Sequence, residues 1–398
     1  MKSFKKFGIK QFSSTNSMYD LVVIGGGPAG YIASIKAGQK KLKTACIEKR
    51  DTLGGTCLNV GCIPSKSLLN TSLKYHKAKH QFAKLGLIAD NVSFDLNKVM
   101  NHKSQVVNTL CKGIEGLFKK NGVEFIPGAG RFRDRHTLIV KKSDGSEVEI
   151  KSKNFLIATG SEPNNLPGGI LPINEKNVVS STGALSLSKL PKKMIVIGAG
   201  VIGLELGSVY NRFGSEVTVI EYADKILPPF DNEISTKFQT ILKRQKFNFM
   251  LSHKVVGGSV KSDGSVVVQV ENLKDKKISE IVSDVALVST GRRAFTSGLN
   301  LEVLEIKLDK LGRIPVDKNL MTTTQGVYAV GDVIEGPMLA HKGEEEGIAV
   351  VEHICGEYSH INYGNIPNVV YTHPEIASIG FTEEELKAKS KLIIKFRF

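Results

Sequence analysis

The chain has 398 residues, a formal net charge of +15 and 41% hydrophobic residues, and its mean hydropathy of −0.07 is typical of a globular protein. No apolar run approaches the ~18 residues that a membrane-spanning helix requires, and five cysteines in so long a chain do not make a disulfide scaffold. The length predicts two or three domains, and the excess of lysine, without a nucleic-acid-binding motif, is interpreted as a solvated surface.

Residues 1–17 have the composition of a mitochondrial transit peptide. They contain four lysines, three phenylalanines, several serines and no acidic residue, and they lack the apolar core of a secretory signal. We therefore expect this segment to direct the protein to the mitochondrial matrix, and a disordered extension is the alternative.

The fold begins with a dinucleotide-binding fingerprint. A buried-strand pattern at residues 20–24 runs into Gly-Gly-Gly-Pro-Ala-Gly, followed by a predicted helix and a second strand that ends at Glu48. In such a fingerprint Gly25 permits a tight turn, Gly27 lets the backbone approach a pyrophosphate, and Gly30 lets helix and strand pack closely. Glu48 would accept a hydrogen bond from an adenosine ribose hydroxyl.

Two cysteines separated by four residues follow this fingerprint. Cys57 and Cys62 lie in the segment Gly-Gly-Thr-Cys-Leu-Asn-Val-Gly-Cys-Ile-Pro-Ser-Lys at residues 54–66, after a strand and before a helix predicted from Pro64 to about Lys79. On the first turn of a helix this spacing allows a disulfide, and the positive helix terminus lowers the pKa of an attacking thiolate. Spacing alone leaves inert core thiols or metal ligands open as alternatives.

The fingerprint is repeated 173 residues later, from Gly25 to Gly198. A strand at 193–197 is followed by Gly198, Gly200 and Gly203 in the same spacing, then by a helix and a strand that ends at Glu221. Two complete fingerprints predict two dinucleotide sites. An acidic residue at this strand end pairs with a free ribose 2′-hydroxyl and repels a 2′-phosphate, so the second site is predicted to prefer NAD to NADP.

The remaining segments alternate between helical and strand patterns. Residues 67–120 read as helical, and Ser-Asp-Gly at residues 143–145 predicts a hairpin turn. The other predicted elements are antiparallel strands at 123–130 and 137–151, a buried strand at 154–160, a helix at 232–246, an antiparallel meander at 254–282, buried strands at 284–291 and 326–332, a helix at 341–356, a capped helix beginning at Thr382, and a strand at 392–396.

Several motifs together resemble those of the dihydrolipoyl dehydrogenases, a family of flavoprotein disulfide reductases with two dinucleotide-binding domains. The resemblance runs from about Tyr19 to the end of the chain, and residues 63–66 with Glu221 favour this family over the glutathione and trypanothione reductases. The motifs are the first fingerprint, GGTCLNVGCIPSK, IATGS, GAGVIGLELGS, STGRR, VYAVGD and MLAHK.

This resemblance implies an α/β fold with two Rossmann-like domains, each a parallel sheet with an antiparallel meander, and an incomplete C-terminal α+β interface domain. The implied domains are an FAD-binding domain at 18–160 and 284–358, an NAD-binding domain at 161–283, and a partial dimerisation domain at 359–398.

The resemblance also implies which residues hold the cofactors, and it implies no metal site. Those at the FAD site would be Gly25, Gly27, Gly30, Glu48, Gly55, Thr56, Lys66, Gly130, Thr159, Gly160, Ser161, Asp332, Met338, Leu339, Ala340 and His341. Those at the NAD site would be Gly198, Gly200, Gly203, Glu205, Glu221, Val255 and Gly291. The family pairs the lysine and glutamate that match Lys66 and Glu205 near the flavin, whereas a solvated lysine and an ordinary helix acid are the alternatives.

The implied reaction is oxidation of protein-bound dihydrolipoamide by NAD through a redox disulfide and FAD. Cys57 would exchange with the substrate dithiol, and Cys62 would lie against the flavin. The implied partners are lipoyl domains of 2-oxo-acid dehydrogenase and glycine cleavage complexes, and a second copy of the chain, since the family forms homodimers. The cysteines Cys46, Cys111 and Cys355 are interpreted as buried or incidental thiols.

One feature departs from the family, in which the opposite subunit of the dimer supplies a His–Glu pair whose histidine acts as the acid and base for the dihydrolipoamide thiols. The sequence is expected to be a truncated form that ends before this motif. The segment His373-Pro374-Glu375 resembles the motif only superficially. The alternatives are therefore a form that retains only FAD binding and diaphorase activity, a non-catalytic subunit of a lipoyl-bearing complex, and another NAD(P)H-dependent disulfide reductase.

Overall fold

The structure is a computed structural model that describes residues 18–396, so the predicted transit peptide lies outside the described residues. Its strands are β1 Tyr19–Ile24, β2 Thr44–Glu48, β3 Glu124–Pro127, β4 Ala129–Asp134, β5 Thr137–Lys141, β6 Glu147–Ile157, β7 Ser161–Pro163, β8 Val178–Val179, β9 Lys193–Ile197, β10 Glu216–Glu221, β11 Asn248–Leu251, β12 His253–Val260, β13 Val266–Asn272, β14 Ile278–Ser283, β15 Val285–Val288, β16 Arg292–Ala294, β17 Val327–Ala329, β18 Asn368–Val370 and β19 Ile376–Ser378. Its α-helices are α1 Pro28–Gln39, α2 Gly55–Val60, α3 Cys62–His80, α4 Leu96–Lys120, α5 Ser181–Ala184, α6 Val201–Phe213, α7 Asn232–Arg244, α8 Ala340–Ile354 and α9 Glu383–Ala388.

The first fingerprint builds a parallel sheet in the order β3-β2-β1-β6-β17. Strand β1 is buried along residues 21–24, which is why it reads as a continuous apolar run. Strand β6 pairs antiparallel with β5 in its first half and parallel with β1 and β17 in its second half. The predicted hairpin turn is confirmed, since the Lys142 N–H donates to Ser146 O at 2.9 Å across it.

The second fingerprint builds a similar parallel sheet in the order β11-β10-β9-β15-β8. Along β9, Met194 and Val196 join a core with α6 and α7, whereas Ile195 and Ile197 join a core with the meander. The meander is confirmed as the antiparallel strands β12, β13 and β14. Because alternate residues of a strand point to opposite faces, an uninterrupted apolar strand such as β9 fits between two layers.

The structure moves one expected domain boundary. The FAD-binding domain was expected to resume at residue 284, but β15 pairs in parallel with β9 and lies in the second sheet. Strand β15 is the counterpart of the end of β6, since both are apolar strands that run into a Thr-Gly turn. The expected boundary is therefore wrong, because it assigns β15 to the FAD-binding domain. After β15, buried residues pack in the core of the first sheet again from Leu299 onwards.

Two expected helical or strand regions also differ from the structure. Residues 67–120 do not form one helix, because α3 ends at His80 and α4 begins after an exposed, mostly irregular segment. The start of α4 is capped by Asp95, whose side chain accepts from the Lys98 N–H at 3.2 Å. Residues 123–130 are not antiparallel throughout, because β3 joins β2 in parallel.

The last described segment combines one confirmed and one wrong expectation. Helix α9 has the predicted start, with a complete capping box between Thr382 and Glu385. Residues 392–396 were expected to form a strand, but they pair with no strand in the part of the chain that is described. Among residues 18–396, no helix combines the length and the apolar character needed to cross a bilayer.

Candidate active site

Both glycine-rich turns have the same geometry. The Gly25 N–H donates to Ile47 O at 2.7 Å, and the Gly198 N–H donates to Ile220 O at 2.8 Å. Both glycines lie in the left-handed region, with φ values of 113° and 104°. The chain therefore turns sharply at the carboxyl ends of β1 and β9, in a conformation that favours glycine.

The third glycine of each fingerprint is required by packing. A methyl group at Gly30 would overlap the carbonyl oxygen of Gly25, and one at Gly203 would overlap that of Gly198. Each helix therefore approaches its loop more closely than a residue with a Cβ atom would allow.

The second glycine of each fingerprint borders open space instead. A Cβ atom at Gly200 would meet no atom within 4 Å, and one at Gly27 would meet only Gly55 Cα, at 3.7 Å. Gly27 and Gly200 are the N-cap residues of α1 and α6, and no side chain caps either helix. The positive helix ends and their free N–H groups therefore remain available to an anion, and both loops fit a dinucleotide pyrophosphate.

The acidic residue of each fingerprint is held in the same way in both repeats. Glu48 Oε2 accepts from the Gly26 N–H at 2.8 Å, and Glu221 Oε2 accepts from the Ala199 N–H at 2.7 Å. The other oxygen of each carboxylate accepts from the backbone N–H two residues further on, at 2.9 Å and 2.8 Å. Carboxylate oxygens have further lone pairs, so each acid is fixed beside its loop and can still accept from a ribose hydroxyl.

The two cysteines of the Cys-x4-Cys segment form a disulfide, with Cα atoms 4.7 Å apart. The expectation that both lie on the first turn of one helix is wrong, because Cys57 lies in α2 and Cys62 is the first residue of α3. Gly61 separates the helices, and a Cβ atom there would lie 2.9 Å from Thr56 O. The disulfide excludes the alternatives of inert thiols and metal ligands. Cys62 still lies at the N-terminus of a helix, which favours the thiolate form of its side chain.

Asn59, inside the disulfide loop, holds α2 in place and was missed by the sequence reasoning. Its Nδ2 donates to Leu53 O at 3.1 Å and to Gly55 O at 2.9 Å. Its Oδ1 accepts from the Thr52 hydroxyl at 3.1 Å and from the Cys111 thiol at 3.4 Å. Burial raises the pKa of that thiol, which keeps it a donor. The only available signal was a polar residue between the two cysteines.

One cleft of about 1530 Å³ joins both glycine-rich loops, both acids and the disulfide. The predicted site residues that line it are Gly25, Gly27, Glu48, Gly55, Thr56, Cys57, Cys62, Lys66, Gly130, Thr159, Gly160, Ser161, Gly198, Gly200, Glu205, Glu221, Val255, Gly291, Asp332, Met338, Leu339, Ala340 and His341. Gly30 and Gly203 lie behind the loops that they support. The predicted residues are thus brought together, and their individual cofactor roles stay predictions.

Lys66 and Glu205 meet at this cleft without the direct ion pair that was expected. The Lys66 ammonium lies 3.7 Å from the centroid of the Tyr371 ring, and Glu205 Oε1 accepts from the Tyr371 N–H at 2.8 Å. Burial lowers the pKa of Lys66, and the charge of Glu205 opposes this shift. Burial raises the pKa of Glu205, and the Tyr371 N–H and the Lys66 charge oppose it. The expected pair is therefore replaced by contacts through Tyr371.

Asp332 is connected through Ser161 to Arg292, and these two residues lie in the two-stranded sheet formed by β7 and β16. Asp332 Oδ2 accepts from the Ser161 hydroxyl at 2.6 Å, and Arg292 donates to Ser161 Oγ and to Ser161 O, both at 2.7 Å. Burial lowers the pKa of Arg292, and the charge of Asp332 opposes this shift. Arg292 lines the cleft and was not predicted as a site residue, although it belongs to the Ser-Thr-Gly-Arg-Arg motif.

A buried ion pair supports the loop that carries Asp332. Lys342 Nζ lies 2.9 Å from Glu346 Oε1, and both side chains are 0% exposed. Lys342 also donates to Gly331 O at 3.1 Å, and Glu346 Oε2 accepts from the Gly331 N–H at 2.7 Å. The Tyr363 hydroxyl donates to Glu346 Oε1 at 3.0 Å. A lysine and a glutamate at this helical spacing usually indicate an exposed pair, so the sequence carried no signal for its burial.

The remaining histidine and cysteine candidates lie outside the cleft lining. The His373 carbonyl accepts from Gln245 Nε2 at 2.8 Å, and burial, with smaller effects of Lys77 and Arg212, lowers the pKa of the His373 ring. The cysteines outside the disulfide are Cys46 and Cys111, which are buried, and Cys355, which is partly exposed. No group of three or more histidine, cysteine or acidic residues within 18–396 is arranged to hold a metal ion.

Comparisons with known proteins agree with this geometry. The family described as pyridine nucleotide-disulphide oxidoreductase matches residues 19–347, and its dimerisation domain matches residues 366–398. Dihydrolipoyl dehydrogenase 1, mitochondrial, of Arabidopsis thaliana is 53% identical over 388 residues, which are 97% of this chain and 76% of that relative. Leghemoglobin reductase of Glycine max is 52% identical over 376 residues, which are 94% of this chain and 71% of that relative.

A solved structure extends the likeness to the tertiary fold. The Cu(II) complex of the HOCl-induced flavoprotein disulfide reductase RclA from Escherichia coli has a TM-score of 0.82 and 28% identity, covering 94% of this chain and 79% of that chain. FAD and NAD are the cofactors of the family to which these matches point. The chain belongs to the pyridine nucleotide-disulphide oxidoreductase family and, within it, to the dihydrolipoyl dehydrogenases.

Proposed function

We propose that the protein oxidises protein-bound dihydrolipoamide to lipoamide and reduces NAD+. The observation that carries the proposal is the Cys57–Cys62 disulfide in the wall of one cleft with two dinucleotide loops. Electron transfer from a dithiol to a nicotinamide requires these parts: an exchangeable disulfide, a site for a flavin and a site for a pyridine nucleotide.

Cys57 and Cys62 have different roles in the thiol–disulfide exchange. A substrate thiolate attacks Cys57 Sγ, a mixed disulfide forms, and Cys62 leaves as a thiolate. The second substrate thiol then displaces Cys57, so that lipoamide closes and both protein cysteines are reduced. Cys62 is the better leaving group because it begins α3, where the helix N-terminus stabilises negative charge. FAD bound at the first loop would accept the electron pair and pass it to NAD+ as hydride.

The remaining cleft residues keep the roles that the family implies. Lys66 would present its charge near the flavin, one helical turn after Cys62, and Asp332 would bind the ribityl chain. Arg292 fixes Ser161 beside Asp332 through its two hydrogen bonds and thereby supports the same site.

We expect Gly200→Ala to fold normally and to bind NADH at least about tenfold more weakly, a loss of ~1.4 kcal/mol. The added methyl group meets no protein atom within 4 Å, but it would occupy the space through which a pyrophosphate approaches the backbone. Titration calorimetry with NADH, together with FAD content and Tm, tests this.

The matched control is Gly113→Ala in α4, where a Cβ atom also meets nothing within 4 Å and the residue is exposed. This variant should bind NADH like the wild type. Unchanged NADH affinity in Gly200→Ala would contradict the placement of the nucleotide at the second loop.

We expect NADH to be preferred over NADPH by about 5- to 150-fold in kcat/KM, because a carboxylate facing a 2′-phosphate costs ~1–3 kcal/mol. The measurement is NADH- or NADPH-dependent reduction of an artificial electron acceptor. Glu221→Gln should decrease the ratio of kcat/KM for NADH to kcat/KM for NADPH. Glu216→Gln, an exposed acid on the same strand, should leave it unchanged. Equal use of both coenzymes by the wild type would refute the role of Glu221.

We infer a mitochondrial location, in the matrix, from two observations. The Arabidopsis relative is named mitochondrial, and residues 1–17 have the composition of a transit peptide. The partners proposed are lipoyl domains of 2-oxo-acid dehydrogenase and glycine cleavage complexes and, from the dimerisation-domain match, a second copy of the chain. Fusion of residues 1–17 to a fluorescent reporter tests the location, and a cytosolic reporter would contradict it.

The substrate is tested by comparing electron acceptors on one FAD-loaded preparation. With NADH as donor, lipoamide should be reduced with a higher kcat/KM than glutathione disulfide. A preference for another disulfide would support a different reductase of the same family. Reduction of an artificial acceptor without lipoamide turnover would support the diaphorase alternative, and bound FAD without turnover of either acceptor would support the non-catalytic alternative.

A further inference from the structure

Tyr371 joins two residues of the cleft, and we propose that it positions the Lys66 ammonium and the Glu205 carboxylate beside the redox disulfide. This inference rests on the proposed function for its meaning, but the contacts that it concerns exist in the protein alone. Tyr371 belongs to the segment matched by the dimerisation domain, residues 366–398, and to neither nucleotide-binding sheet.

The two contacts use different parts of Tyr371. The Lys66 Nζ lies 3.7 Å from the centroid of the phenol ring, within the range of a cation–π interaction. The backbone N–H donates to Glu205 Oε1 at 2.8 Å. A change of the side chain therefore removes the contact with Lys66 and leaves the hydrogen bond to Glu205 available.

The position of Lys66 explains why this contact matters for the disulfide. Cys62 and Lys66 are four residues apart on α3, so their side chains lie on the same face of the helix. A positive charge near a thiol favours its thiolate form. Lys66 also lines the same cleft as Cys62, Glu205 and Tyr371.

The ring holds the ammonium without neutralising it. A direct ion pair with Glu205 would cancel the charge of Lys66, whereas the face of an aromatic ring attracts a cation through its quadrupole and adds no net charge. Glu205 is 6% exposed and already accepts from the Tyr371 N–H. Tyr371 thus satisfies the carboxylate with its backbone and retains the ammonium with its side chain, and it acts as a positioning residue for the thiol exchange.

The experiment compares Tyr371→Leu, which removes the ring, with Tyr371→Phe, which keeps it. Acetylation of Lys66 by trace acetic anhydride at fixed pH is measured by mass spectrometry, with exposed Lys74 on the same helix as the internal standard. Tyr371→Leu should raise the Lys66 rate about 2- to 30-fold, which corresponds to the ~0.5–2 kcal/mol of a cation–π contact. Tyr371→Phe should stay within about twofold of the wild type.

A second readout uses the FAD-loaded protein after partial reduction. The absorbance of the complex between the Cys62 thiolate and the flavin should decrease in Tyr371→Leu and persist in Tyr371→Phe. Tyr371 is 38% exposed, so loss of its ring leaves a small cavity at most. Tyr371→Met, which also lacks a ring, replaces the leucine variant if that variant is poorly folded.

The outcomes separate this inference from the proposed function. Equal acetylation of Lys66 in the wild type and Tyr371→Leu, or equal effects of the leucine and phenylalanine variants, would overturn the role of the ring. The labelling is repeated on FAD-free protein, where the same difference is expected. A wild type that binds no FAD would overturn the proposed function, and the labelling result would still decide the role of Tyr371.

Discussion

Cys62→Ser is expected to abolish the long-wavelength charge-transfer absorbance of the partly reduced protein while FAD remains bound. The absorbance requires a thiolate in contact with the flavin, and Cys62 is the member of the disulfide that begins α3 at the cleft. Lipoamide turnover should be lost as well, because no disulfide can form. Anaerobic titration with NADH, followed by visible absorbance, measures the effect.

Two variants distinguish this role from a general loss of structure. Cys57→Ser should also stop lipoamide turnover, but it leaves the Cys62 thiolate free and should keep the absorbance. Cys355→Ser, at a partly exposed thiol outside the disulfide, should change neither property. An absorbance that survives in Cys62→Ser would show that another group contacts the flavin.

Lys342→Met is expected to reduce the free energy of unfolding by about 3–5 kcal/mol, the usual effect of removing one partner from a buried ion pair. The variant leaves the Glu346 carboxylate in a site that is 0% exposed and without its cation. It also removes the Lys342 hydrogen bond to Gly331 O, next to Asp332, so FAD should bind more weakly. Urea unfolding and FAD titration measure the two effects.

An exposed pair with the same spacing provides the control. Lys237 lies 2.9 Å from Glu233, and its side chain is 65% exposed. Lys237→Met should therefore change the free energy of unfolding by no more than about 0.5 kcal/mol. The double variant Lys342→Met with Glu346→Leu should recover most of the lost stability, because no charge is then buried alone. If Lys342→Met and Lys237→Met reduced the free energy of unfolding equally, the supporting role of the buried pair would be contradicted.

The two fingerprints could be recognised in the sequence because their requirements are local. Gly25 and Gly198 adopt positive φ values at the turn, and Gly30 and Gly203 are each needed because the carbonyl oxygen five residues earlier lies so close. The apolar strands before the loops and the acids at the following strand ends also lie within one short unit. Periodicity and spacing therefore predicted both loops and the strand that ends at each acid.

The redox segment was only partly determined by its sequence. The spacing of Cys57 and Cys62 allowed a disulfide but also allowed free thiols or metal ligands. The break at Gly61, which places the cysteines in separate helices, depends on a close approach to Thr56 O within the folded segment. The spacing therefore predicted the possibility of a bridge, and the backbone geometry decided that the bridge forms.

The sequence by itself determined the two nucleotide-binding units and the candidate redox pair, because these depend on residues close together in the chain. Only the tertiary structure decided that β15 joins the second sheet, that Lys342 and Glu346 are buried, and that Tyr371 lies between Lys66 and Glu205. These features depend on contacts between distant segments, and the burial of a charged residue depends on what packs over it rather than on its neighbours in the sequence.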